Sequence, residues 1–149
     1  ASGALWRRER IEMARVPVAQ QLTRIVVAID PSATSTESAD ECGIIVAGVD
    51  IKGHGYVLID ESLRASPTDW ARIAILNYER FKADRVIAET NNGGEMVEAV
   101  LRSIDPTVSY RSVTATRGDT FTFECLRPHA QASPNGRCFA PDNAEFKSG

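Results

Sequence analysis

The chain has 149 residues, 43% of them hydrophobic and 25% charged, and a net charge of -3. That length suits one globular domain with a real core, and the charge excludes a polycation, so any nucleic-acid surface must be a local patch. No apolar run approaches the ~20 residues needed to span a bilayer and no signal-peptide pattern opens the chain, which predicts a cytoplasmic protein with no membrane partner. Three widely spaced cysteines, Cys42, Cys125 and Cys138, fit reduced thiols better than a disulfide framework. The spacing of Cys125, His129 and Cys138 matches no standard zinc ligand pair.

Residues 1–23 read as a leader. Arg7, Arg8, Glu9, Arg10, Glu12 and Arg15 make it charge-dense, and Pro17 interrupts any helix begun at Trp6. A solvated linker is the simpler reading, a basic arm touching phosphates the other. Arg24 to Asp30 is apolar on both faces, with Ile25, Val27 and Ile29 on one and Val26 and Ala28 on the other, as in a central strand. Pro31 lacks a backbone donor and predicts the end of the ladder, leaving Asp30 at the C-terminal lip. The alternative for Asp30 is an acid satisfied by turn amides, since Asp-Pro-Ser is good turn chemistry.

A polar loop over 31–41 precedes a second strand from Cys42 to Asp50 and a third from Gly55 to Glu61. Lys52-Gly53-His54-Gly55 supplies the turn between them. His54 reads as a solvated turn residue, and Asp40 as a turn residue that is also within reach of a site mouth. Ser66-Pro67-Thr68-Asp69 starts a helix, with Trp70, Ile73, Ala74 and Phe81 facing the core and Arg72 and Lys82 outside.

Asp84 leads into a fourth strand, Arg85 to Glu89, which ends on a carboxylate. Asn91 and Asn92 can cap a helix, and Gly93 and Gly94 let the backbone turn close to a ligand. The helix that follows places Met96, Val97, Val100, Leu101 and Ile104 on one face, and Val108 to Ala115 reads as a fifth strand. Three strands joined by short turns predict an antiparallel meander, and crossover helices make the later strands parallel to the first. Asp30 and Glu89 then end neighbouring parallel strands at one edge. Two carboxylates there suit Mg²⁺ or Mn²⁺, and two ions roughly 3.5–4 Å apart suit phosphodiester cleavage.

The blocks Arg24-Ile-Val-Val-Ala-Ile-Asp-Pro-Ser, Asp40-Glu-Cys-Gly-Ile-Ile-Val-Ala-Gly and Tyr56-Val-Leu-Ile-Asp resemble the C-terminal nuclease domain of viral terminase large subunits. Pro67-Thr-Asp-Trp and Val86-Ile-Ala-Glu-Thr-Asn-Asn-Gly-Gly-Glu-Met-Val continue the match in order and spacing, and Gly3-Ala-Leu-Trp resembles the segment that joins the family's ATPase to its nuclease. The resemblance implies an α/β, RNase H-like fold with a mixed five-strand sheet flanked by helices. It also implies a nuclease that cuts concatemeric double-stranded viral DNA during packaging, alongside an ATPase domain, a small terminase subunit and a portal. By motif position, Asp30 and Glu89 correspond to the first two acidic metal ligands.

Two departures accompany the resemblance. No Gly-x-x-x-x-Gly-Lys-Ser/Thr loop is present, so this chain lacks the packaging ATPase. The sequence also diverges after Arg117-Gly118, where the family's third acid is expected; Asp142 and Glu145 are the candidate substitutes. The expected organisation is a leader over 1–23, a nuclease domain over 24–118 and an atypical tail over 119–149. Arg111 and Arg117 are candidate phosphate contacts, with solvated charge as the plainer account. A catalytically incomplete DNA-binding or docking module is the rival function, discriminated by weak metal affinity with intact, salt-sensitive DNA binding. A junction resolvase is a third, discriminated by preference for branched DNA.

Overall fold

The computed structural model describes residues 7–31, 40–89, 94–113, 137–139 and 145–147. A short helix, α1 (Arg8–Met13), leads into the strand β1 (Leu22–Pro31). β1 pairs antiparallel with β2 (Asp40–Asp50), and β2 pairs antiparallel with β3 (Gly55–Asp60). A three-residue strand, β4 (Leu63–Ala65), also pairs with β2. After the helix α2 (Pro67–Arg80), β5 (Arg85–Glu89) lies parallel to β1 on its free side. The helix α3 (Gly94–Ile104) then returns the chain to β6 (Tyr110–Val113), parallel to β5. The expected meander and parallel strands are both present, in the order β3-β2-β1-β5-β6.

The sheet has six strands rather than the expected five, because β4 joins it. The reason lies in backbone hydrogen bonding. β2 has 11 residues and β3 only 6, so the first residues of β2 would otherwise lack a partner. β4 supplies one, pairing Asp40, Glu41 and Cys42 with Ala65, Arg64 and Leu63. Asp40 thus opens a strand instead of sitting in a turn.

Residues Val26 to Ile29 of β1 are all buried, as a central strand requires. Val27 and Ile29 join Ile44, Val46, Val86 and Ala88 in the main core, with Trp70, Ala71, Ala74 and Ile75 of α2 and Val97 and Leu101 of α3. Val26 and Ala28 face the other way, in a smaller cluster with Ala47 and Ile87. Each fully buried Ile or Leu contributes about 1.5–3 kcal/mol of transfer free energy. Trp70 is core, as its helical stripe predicts. Met96 is not: it is 47% exposed, because Val97, Val100, Leu101 and Ile104 already fill the inward stripe of α3.

The ends of α2 follow capping chemistry. Ser66 Oγ accepts from the Asp69 amide at 3.3 Å, and Pro67 occupies the first turn. At the other end Ala83 N–H donates to Tyr78 O and Lys82 N–H to Glu79 O, a Schellman closure. Its left-handed position is taken by Lys82 (φ 48°), where glycine is the usual residue. Beyond the main sheet, β7 (Arg137–Phe139) and β8 (Glu145–Lys147) form a separate antiparallel pair. Among the described residues no helix is long and apolar enough to cross a membrane.

Candidate metal centre

β1, β5 and β6 run in one direction, so their C-terminal ends share an edge. Ile29 is level with Ala88, and Glu89 with Val113. Asp30 and Glu89 each follow by one residue, so their backbones reach the lip together on adjacent strands, roughly 4.8 Å apart. By the two-residue period of a strand, positions 30 and 89 belong to the face opposite α2 and α3, with positions 28 and 87. Asp30 is exposed there. The ladder does not stop at Asp30, as the proline predicts; Pro31 still pairs with Cys42, one residue farther on.

The antiparallel partner of Asp30 is Gly43. A Cβ placed on Gly43 would lie 3.5 Å from Asp30 Cβ and 3.9 Å from Ser62 Oγ, so alanine fits while a longer side chain would extend over the Asp30 carboxylate. Ser62 is held in place: its hydroxyl donates to Asp60 Oδ1 at 2.6 Å and accepts from the Ile44 amide at 3.3 Å. Glu61 N–H donates to Ile44 O, and Glu61 Oε2 accepts from Asn77 Nδ2 at 2.6 Å. Asn77, only 3% exposed on α2, therefore ties the β3–β4 bend to the helix layer. Burial pushes the Cys42 thiol up to about 12, and the neighbouring Asp30 charge adds to it. At neutral pH that thiol is protonated.

The other candidates scatter. Arg111 is exposed on β6. Glu145 opens β8 in the separate two-stranded sheet, and Cys138 lies in β7. Asn91, Asn92, Arg117, Cys125, His129 and Asp142 lie outside the described residues. Among the described residues no three His, Cys, Asp or Glu side chains converge as a ligand set. His54 is not simply solvated: its Nδ1 is 3.1 Å from Asp50 Oδ2. Sequence reasoning missed Gly43, Ser62, Asn77 and Glu61. A buried Asn inside an otherwise apolar helical stripe is the signal that could have exposed the last two.

An exposed carboxylate at a strand edge, opposite a glycine rather than a bulky residue, suits a hard divalent cation that keeps water and phosphate oxygens in its shell. A family model for the terminase RNaseH-like domain matches residues 27–127. The chain belongs to this family. Its fold is similar to a mutant nuclease domain of the large terminase subunit of bacterial virus Sf6, solved with manganese and beta-thujaplicinol. The TM-score is 0.54 at 16% identity, over 78% of this chain and 50% of that one. The terminase domain described here thus spans about half the length of the Sf6 chain. RuvC of Thermus thermophilus is similar with TM-score 0.45 and 18% identity, over 75% of this chain and 74% of that one. No curated protein matches the terminase chain. Its sheet is the mixed, RNase H-like sheet that the resemblance implied.

Proposed function

We propose that this terminase domain is a divalent-metal-dependent DNA endonuclease that cuts concatemeric viral DNA during genome packaging, with Asp30 and Glu89 as metal ligands. The observation that carries the reading is the shared lip of β1 and β5, where two acids follow the Ile29–Ala88 pair. A terminase ATPase domain, a small terminase subunit and a portal are the proposed partners, in a host cytoplasm. The leader, nuclease domain and tail would divide at residues 23 and 118.

When bound, Mg²⁺ or Mn²⁺ would supply an activated water and neutralise charge on the phosphate. The protein's part is to hold carboxylates at the lip and to keep the space beside Asp30 open. Gly43 provides that opening, and the Ser62 bend borders it. The experiment is nicking of supercoiled plasmid with Mg²⁺ or Mn²⁺ by the wild type, Asp30→Ala and Glu89→Ala. Metal-dependent nicking that both variants lose is the expected result. Full nicking by Asp30→Ala would sink the assignment, and a folded wild type that binds DNA without nicking would make it an incomplete, DNA-docking module.

A further inference from the structure

The outer side of β2 has a gap in its pairing. β3 is matched to Ile45 to Val49, and β4 to Asp40, Glu41 and Cys42, which leaves Gly43 and Ile44 between them. The bend at 60–62 closes that gap at Ile44. Glu61 N–H donates to Ile44 O at 2.9 Å, and Ile44 N–H donates to the Ser62 hydroxyl at 3.3 Å. Backbone groups of successive strand residues point to opposite sides, so Gly43 directs its own toward Asp30 across the β1–β2 ladder. One step of the β2 backbone thus has Asp30 on one side and Ser62 on the other. The side chains meet the same spot: the point where a Gly43 Cβ would sit lies 3.5 Å from Asp30 Cβ and 3.9 Å from Ser62 Oγ. Asp30 and Ser62 are both exposed, so water reaches the notch between them.

The Ser62 hydroxyl is committed in one direction. It has one proton and two lone pairs. The proton goes to Asp60 Oδ1 at 2.6 Å, the short distance of a charge-assisted bond, and the same oxygen accepts the Ser62 N–H at 3.0 Å. One lone pair takes the Ile44 N–H, and among the described residues nothing takes the other. The Asp60 charge makes that oxygen a better acceptor. Such an atom repels a phosphate oxygen, itself an acceptor, and calls for a donor. Beside a carboxylate that holds a divalent ion, the donor at hand is a water of the ion's shell, and Mg²⁺ keeps several of them.

We propose that Ser62 is a positioning residue of the metal centre: oriented by Asp60, its oxygen accepts a hydrogen bond from a water of the ion at Asp30, across the Gly43 notch. The inference rests on the reading of Asp30 as a metal ligand, but not on cleavage. Its test is isothermal titration calorimetry of Mn²⁺ into the full chain, without DNA, with urea denaturation of each variant alongside. Groups that orient a metal's ligands from outside its shell change metal affinity about 10–100-fold when removed, so Ser62→Ala should weaken Mn²⁺ binding at least about tenfold. Ser62→Thr keeps the hydroxyl and should bind close to wild type. Gly43→Ala puts a methyl group in the notch and leaves Ser62 in place, and it should also weaken binding. Combined with Ser62→Ala it should add nothing, because both changes remove the same water. A Ser62→Ala chain that shifts the urea midpoint but keeps wild-type Mn²⁺ affinity would overturn the proposal and leave Ser62 a strut for β2; fully additive losses in the double variant would overturn the shared water. Asp30→Asn separates the two ideas. Binding lost in Asp30→Asn and kept in Ser62→Ala would overturn the role of Ser62 and leave the metal ligand standing. Binding kept in Asp30→Asn would break the metal reading itself, and the role of Ser62 with it.

Discussion

Asp30 and Asp50 stand at or near the C-terminal ends of β1 and β2, antiparallel neighbours, and so at opposite edges of the sheet. Asp50 is 5% exposed and accepts from the Lys52 and His54 amides, from the His54 ring and from the Tyr56 hydroxyl. Burial works against its charge, but those donors together outweigh it and hold the carboxyl below its ordinary value. Asp30 is exposed, and among the described residues no group donates to it. One carboxylate is consumed in fixing the β2–β3 hairpin; the other has no such ring of donors among the described residues. The difference is one of supply. The hairpin turns back on Asp50 and delivers amides within four residues, whereas across from Asp30 stands a glycine with no side chain to offer.

The comparison breaks most decisively at Asp30. Asp30→Ala should lower metal-dependent nicking by at least about 100-fold, the scale of losing one charge-stabilising group, while thermal melting stays close to wild type. Asp50→Ala should invert that pattern. Four donors lose their acceptor, so urea denaturation should show a loss of about 2–3 kcal/mol, with metal binding by the folded fraction retained. Gly43→Leu sharpens the point about space: nicking should fall about tenfold, near 1.4 kcal/mol, with fold stability little changed, as steady-state nicking and melting would show. The same substitution leaving nicking intact would show that the opening beside Asp30 is not used.

Acid tests the satisfied partner. Asp50 has a folded pKa depressed below the unfolded value of about 3.9. It therefore contributes stability that is present above that pH and lost as pH falls through the unfolded value toward the folded one. Urea midpoints at pH 7 and pH 3 should thus show the wild-type advantage over Asp50→Asn shrinking on acidification. The smallest effect belongs to Lys82, which holds a left-handed φ of 48° at the end of α2. Lys82→Gly should stabilise by about 0.5 kcal/mol in thermal denaturation, since relief of the strained backbone exceeds the entropy glycine adds to the unfolded chain.

Much of this molecule could be read from local pattern. The doubly apolar run around Val26 to Ile29 determined a central strand, Ser66-Pro67-Thr68-Asp69 a helix start, and Arg85 to Glu89 a strand that ends on its acid, whereas β1 runs one residue past Asp30. Strand period and capping act over a few residues, so they leave a local mark. β4 had no such mark, because three residues become a strand only when an over-long neighbour needs hydrogen bonds. Met96 carried the right chemistry for the core and lost its place to better-aimed residues on the same helix.

The sequence by itself determined the order of the strands and helices and which strand ends carry acids. Only the tertiary structure decided what stands opposite each acid. Gly43 faces Asp30 because an antiparallel register puts a residue 13 positions away across from it, and Asn77 reaches Glu61 because α2 packs over the β3–β4 bend. Pairings of that kind depend on register, and no single stretch of sequence encodes a register between strands far apart along the chain.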